Sequence, residues 1–449
     1  MFHRKDAVYL AVAGLLMSSG LVKAGTKLSL DPTVITADDA PADRAPLMAV
    51  LDKAGAAKPL DDLKLNIYGW VEAGYTYNHR HHDGNGSTGI APGPFNHEVG
   101  NHFMLNQVDL RFERQVDSSK FDVGGMVEVQ YGTDAKLIHS SGLNFGGTDP
   151  STDSNPADGI NDKYQANYEF DLTQAYVDVN VPVGNGLKFR VGKFVTLLGY
   201  ETIDPRGNPL YSHSYVFGAL PFTQTGVLGM YQLNDQWAFT AGVTRGWDQT
   251  LEDSGPNGGS CAVDGLGQVS WTPNKQLTAL LNWSVGPQNF GDTSHYRTVI
   301  DPIVMYQVTD AFKIGAEGLY LYDGGLNGDA FAVPAVTHAY GDVWGGDLYL
   351  SYTLNDYVTL NSRLEKIHTS ATGVGAITTS SGNSLSIYSI TLGATITPLP
   401  KDPWGKNISV RPEIRYDFSD SSANPPFAVA GGNNQKDQLT FAADVIVKF

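Results

Sequence analysis

The chain has 449 residues, 41% of them hydrophobic, with 50 glycines and 22 tyrosines, a balance that favours strands over helices and leaves the number of domains open. A formal charge of -17 argues against nucleic acid as a partner, since polyanions repel. The single cysteine, Cys261, excludes an internal disulfide framework.

In chain order, Arg4 and Lys5 precede the apolar stretch "AVYLAVAGLLM", and "VKA" sets Val22 and Ala24 at the small-residue positions before Gly25. This pattern predicts a secretory signal peptide over residues 1–24, with an uncleaved anchor as the competing reading. No later run approaches the roughly 20 apolar residues a membrane helix needs, so the mature chain is either a soluble protein outside the cytoplasm or a membrane β-barrel. Residues 25–63 are expected to be a partly ordered leader on the periplasmic side, with a small gate near one barrel mouth as the alternative. Within it "APLMAVLDKAG" places Leu47, Val50, Leu51 and Ala54 at helical spacing, with Gly55 as the stop.

From residue 64 the pattern changes to period two, in segments of about ten residues, the length of a tilted membrane strand. Sixteen are predicted: 64–78, 102–114, 121–131, 168–181, 187–194, 223–232, 237–247, 262–271, 277–285, 296–307, 312–322, 342–352, 358–367, 384–396, 408–418 and 437–449. "LNIYGWVEAGYTY" sends Leu65, Ile67, Val71, Ala73, Tyr75 and Tyr77 one way and Asn66, Glu72 and Thr76 the other. A soluble sandwich alternates too, so alternation alone does not decide.

Connection lengths do. Links such as "PVGNG", "LNDQ" and "TPNKQ" are tight, and they alternate with long polar links at 79–101, 132–167, 195–222, 248–261, 286–295, 323–341, 368–383 and 419–436. All long links then fall at one end of a barrel and both termini at the other, as in outer-membrane barrels with short periplasmic turns. Sandwiches and propellers have no cause for that asymmetry. Tyr231, Trp237, Trp271, Tyr306, Tyr352 and Tyr357 sit beside the short links, where an interfacial aromatic girdle belongs. The fold expected is therefore an all-β, transmembrane antiparallel β-barrel of about sixteen strands over residues 64–449.

Several stretches carry a nameable likeness. "IYGWVEAGYTYN", "NQVDLRFER", "LTQAYVDVNVP", "LKFRVGKFVTLLGYETIDP", "YSHSYVFGALPFTQTGV" and the closing "LTFAADVIVKF" resemble the OmpL-like β-barrel porin-2 family of outer-membrane proteins over nearly all of the mature chain. The resemblance implies that Phe449 is an insertion signal, facing lipid and read by the barrel-assembly machinery. It implies as partners outer-membrane lipid and small hydrophilic solutes or ions, with a homo-trimer as one arrangement. No cofactor is expected.

A barrel of this circumference leaves an aqueous channel, so function depends on what narrows it. The third long link, 195–222, is dense in aromatic and aliphatic side chains that a free surface loop would not expose, which predicts folding into the barrel. Packing on the rim or on a neighbouring subunit is the alternative. Folded inward, it brings Glu201, Asp204 and Arg206 to the narrowest point. Strand parity places Arg111, Arg190, Arg363, Arg411 and Arg415 on the wall, interspersed with acids including Glu113, Glu128, Glu317, Glu365, Glu413 and Asp417. Charges of both signs orient water and exclude apolar solutes. The reading is passive diffusion of small hydrophilic solutes, and the alternative is a surface adhesin or binding barrel acting through its outer loops.

Two further patterns carry less. His79, His81, His82, His97 and His102 suit a transition metal, but flexible loop histidines are the commoner use. Asp149, Asp153, Asn155, Asp158 and Asp162 offer oxygen ligands at a spacing that misses the EF-hand template. No nucleophile motif occurs in a strand–turn context that would make an enzyme.

Overall fold

The structure is a computed structural model that describes residues 44–78, 101–140, 143, 168–251, 263–288, 294–326, 339–370, 373–374, 377–378, 384–420, 426–427 and 435–449. Two short helices open it, α1 (Pro46–Lys53) and α2 (Ala57–Asp62). Pro46 sits at the first helical position and Gly55 follows the end with φ 74°, so the helix begins and stops where the sequence predicts.

Sixteen strands close into one antiparallel barrel. In chain order they are β1 (Leu65–Asn78), β2 (Phe103–Arg114), β3 (Asp122–Gly132), β4 (Glu169–Val181), β5 (Leu187–Val195), β6 (Thr223–Gln232), β7 (Trp237–Trp247) and β8 (Asp264–Asn274). Then follow β9 (Leu277–Gly286), β10 (Arg297–Thr309), β11 (Phe312–Leu326), β12 (Ala339–Asn355), β13 (Val358–Thr369), β14 (Leu385–Ile396), β15 (Ile408–Ser419) and β16 (Asp437–Lys448). Each pairs with its neighbours in sequence, and β1 meets β16 from Trp70↔Lys448 to Asn78↔Thr440. Phe449 completes the seam by exchanging backbone hydrogen bonds with Gly69, at 2.9 and 3.0 Å.

Strand ends lie within a few residues of the predicted bounds, with β11 and β12 running further toward the long links. The sequence reading missed a one-turn helix α3 (Thr133–Ile138) after β3, another, α4 (Tyr215–Gly218), in the third long link, and a small hairpin of Gly373–Val374 with Ile377–Thr378.

Alternation sorts the side chains. Val127, Val191 and Leu281 on the outward face are 45%, 48% and 45% exposed, while Glu128, Arg190 and Asn282 on the inward face are buried. Apolar outside and polar inside is the inverse of a soluble barrel and is what lipid demands. Near the short links Trp237 stacks on Trp271 with ring centroids 5.8 Å apart, and Tyr352 and Tyr357 are exposed, as an interfacial girdle requires.

The inner wall is not uniformly polar. Leu228, Leu266, Val299, Leu319, Leu321, Val343, Ile367 and Ile387 point inward on β6 to β14 and form one buried apolar cluster. Leu198, Tyr215, Val216 and Leu220 from the third long link join it. This apolar arc was not foreseen.

Candidate functional site

Residues 196–222, between β5 and β6, meet inward-facing side chains from several strands. At the start, Gly199 N–H donates to Asp301 Oδ2 on β10 at 2.7 Å, and Tyr200 N–H to Glu317 Oε1 on β11 at 3.1 Å. Glu201 is 3% exposed. Its carboxylate accepts from Arg363 Nη1 at 2.6 Å, Tyr349 Oη at 3.0 Å and the Ser214 amide at 2.9 Å, and Nδ1 of His213 lies at 2.9 Å. Burial alone would push the Glu201 carboxyl up; the Arg363 guanidinium and His213 outweigh it and hold the group at about 2.

The middle of the segment is held through its backbone. Arg411 Nη1 donates to the carbonyls of Pro205, Asn208 and Leu210, each at 2.9 Å. Its other nitrogens reach Asp444 on β16 and Glu72 on β1. Glu413 Oε2 accepts from the amides of Tyr211 and Ser212, and Glu365 Oε2 from that of Tyr215. Arg363 donates to the Ser212 and His213 carbonyls and Arg415 to His213 O at 2.6 Å. A segment without regular secondary structure leaves peptide groups unpaired, and here charged wall side chains take that role. α4 follows, with Ser214 Oγ accepting from Phe217 N as its N-cap.

Three glycines on the wall make room. A Cβ at Gly74 would collide with the Tyr211 ring. At Gly315 it would stand 2.6 Å from the Tyr200 ring, and at Gly393 2.7 Å from Leu210 Cδ2. Each of these side chains therefore occupies a socket that only glycine leaves open.

The remaining predicted residues divide. Asp204 meets Arg111 at 3.2 Å and Arg206 at 2.6 Å; burial opposes ionisation, and the two guanidiniums still hold its carboxyl well below the usual range. Arg206 lies over the Trp70 ring at 4.2 Å. Glu128 pairs with Arg111 at 2.9 Å. Glu113 accepts from the Tyr68 hydroxyl at 2.7 Å, and Arg190 forms a two-pronged pair with Asp178. The structure thus brings Glu201 to Arg363 and Asp204 to Arg111, and binds Arg411 and Arg415 to loop carbonyls. Asp178, which Arg190 grips, and Tyr68, which donates to Glu113, both belong to wall strands, β4 and β1.

Sequence reasoning missed Asp301, Tyr349 and Asn361, whose side-chain amide donates to Pro209 O at 2.8 Å. All three lie on inward parity in predicted strands, so the same alternation that found Arg363 and Arg411 could have found them. The signal peptide, leader residues 25–43, Cys261, His79, Arg80, His81, His82, His97 and the acidic run 149–162 lie outside the described residues.

A closed, outwardly apolar barrel of sixteen antiparallel strands with a charged inner wall is an outer-membrane channel. The family model described as beta-barrel porin-2, OmpL-like matches residues 64–449, and the chain belongs to that family, which places it in the outer membrane. An anion-selective porin from Comamonas acidovorans superposes with a TM-score of 0.52 at 11% identity, covering 86% of this chain and 99% of that one. OprB of Pseudomonas putida gives 0.50 at 10% identity, covering 89% and 97%. The outer membrane channel DcaP of Acinetobacter baumannii gives 0.49 at 13% identity, covering 86% and 97%. At such identities the likeness concerns fold alone. No curated protein matches the chain.

Proposed function

We propose that this porin passes small hydrophilic solutes by passive diffusion through a water-filled lumen, and that residues 196–222 fold into the lumen and narrow it. One observation carries the reading. The segment bonds in turn to inward-facing Asp301, Glu317, Glu365, Glu413 and Arg411, on strands from β10 to β15, while Tyr211 Oη reaches Asn106 on β2 at 3.1 Å. Partners spread around the ring are compatible with a segment crossing the interior rather than resting on the rim. Glu201, Asp204 and Arg206, with Arg111, set the charge along it. No catalytic role is assigned.

Conductance in planar bilayers tests the reading. Deleting residues 201–215 should raise conductance and admit larger sugars, and neutralising Glu201 and Asp204 together should shift selectivity toward anions. Those shifts shrink at 1 M salt, where charges are screened beyond roughly 3 Å. An intact barrel that conducts nothing, with a deletion that changes nothing, would replace transport with a binding role for the outer loops.

A further inference from the structure

A cleft of about 520 Å³ lies outside the barrel wall at the end that carries the short turns. Its lining includes Leu47 and Val50 of α1, Leu399 and Trp404 of the β14–β15 turn, and Val447 and Phe449 at the end of β16. Val447 has outward parity and continues the exposed lipid-facing row of Phe441 and Val445. The cleft is therefore an extension of the surface that meets the bilayer.

Its walls are fixed by contacts that point elsewhere. Asp402 accepts from the amides of Trp404 and Gly405, which caps the turn, and Lys53 Nζ stands 5.3 Å from the Trp404 ring centroid, tying α1 to it. A Cβ at Gly69 would stand 2.8 Å from the Phe449 ring, which seats that ring on the barrel wall. Val50, Leu399 and Trp404 nonetheless remain 47%, 54% and 47% exposed around the cleft. Exposed apolar surface of this kind marks an interaction site, and an apolar cavity offers water too few polar partners to hold it.

We propose that this cleft binds one acyl chain of a phospholipid from the periplasmic leaflet, with α1 as the clasp on its far side. The occupant follows from continuity with the lipid-facing row of β16 and from the level of the cleft, beside the short turns that face the periplasm in outer-membrane barrels. Lys53, at the end of α1, sets a cation beside Trp404 for the headgroup phosphate.

Native mass spectrometry of the full chain tests this, after exchange with vesicles of phosphatidylethanolamine and phosphatidylglycerol. Wild type should retain one diacyl phospholipid. Leu399→Glu, which places a charge at the mouth, and Val50→Trp, which fills it, should each weaken retention about tenfold. Both positions are exposed, and a heat-shifted band on a detergent gel confirms that each barrel is folded. A phospholipid with a photoreactive acyl chain supplies a measurement that needs no variant, with label expected on residues 46–50 or 399–404. Equal retention by wild type and variants, an adduct of lipopolysaccharide alone, or label only elsewhere on the barrel would overturn the assignment.

Discussion

The third long link touches two unlike surfaces. Toward β13 and β15 its backbone is gripped by Arg363, Arg411 and Arg415 and by the carboxylates between them. Toward β6 to β14 it presents Leu198, Val216 and Leu220 to an apolar arc that includes Leu266, Leu319 and Ile387. The first contact is directional and fixes register; the second is tolerant of shape and excludes water. One pins where each peptide group sits, and the other keeps the segment from leaving.

The largest effect should come from the charged side. Arg411→Ala leaves Asp444, Glu72 and three loop carbonyls without their cation, and breaking a buried pair in this way costs about 3–5 kcal/mol. Single-channel recordings should then show higher and noisier conductance, and an unchanged trace would mean that Arg411 does not hold the segment. On the apolar side, Leu220→Ala should cost about 2–5 kcal/mol in thermal stability, while ion selectivity stays put. A selectivity change there would erase the distinction between the two surfaces.

Smaller effects sharpen it. Gly315→Leu fills the socket of Tyr200, an overpacking of about 1–3 kcal/mol, and should loosen the start of the segment without touching any of the three arginines. Measured conductance should rise less than in Arg411→Ala. Acid should act last. Glu201 has its folded value depressed to about 2 from an ordinary 4.5, so its contribution is complete above 4.5 and is lost only as pH falls through 2. Wild-type and Glu201→Gln channels, compared from pH 7 downward, should therefore keep a constant difference to about pH 4.5 that narrows toward pH 2. A difference that vanished near pH 6 would show Glu201 already neutral in its bond to Arg363.

Much of this architecture was written in the period of the chain. Strand positions, their pairing in order and the outward row of β16 follow from alternation and link length, because lipid allows a closed barrel only one arrangement of apolar and polar faces. The pairing of Glu201 with Arg363 was legible only as two charges of opposite sign on loop and wall, since contact between residues so far apart depends on the path of an irregular segment. Inward leucines on β8 and β11 defied the reading, as parity gives a direction but not what waits there. Gly74, Gly315 and Gly393 could have hinted at it, being inward positions with no side chain in a wall otherwise well furnished.

The seam between β1 and β16 carries a kinetic consequence. Trp70 to Asn78 pair with Thr440 to Lys448, residues from opposite ends of the barrel sequence, so closure joins the two most distant strands. Contacts of such separation form slowly, because the chain between them must be ordered before they reward it. Until β16 arrives, both β1 and β15 present open edges, which are templates for pairing with other chains. Folding in the bilayer should thus look all-or-none, with mispairing most dangerous in the interval just before the ring shuts.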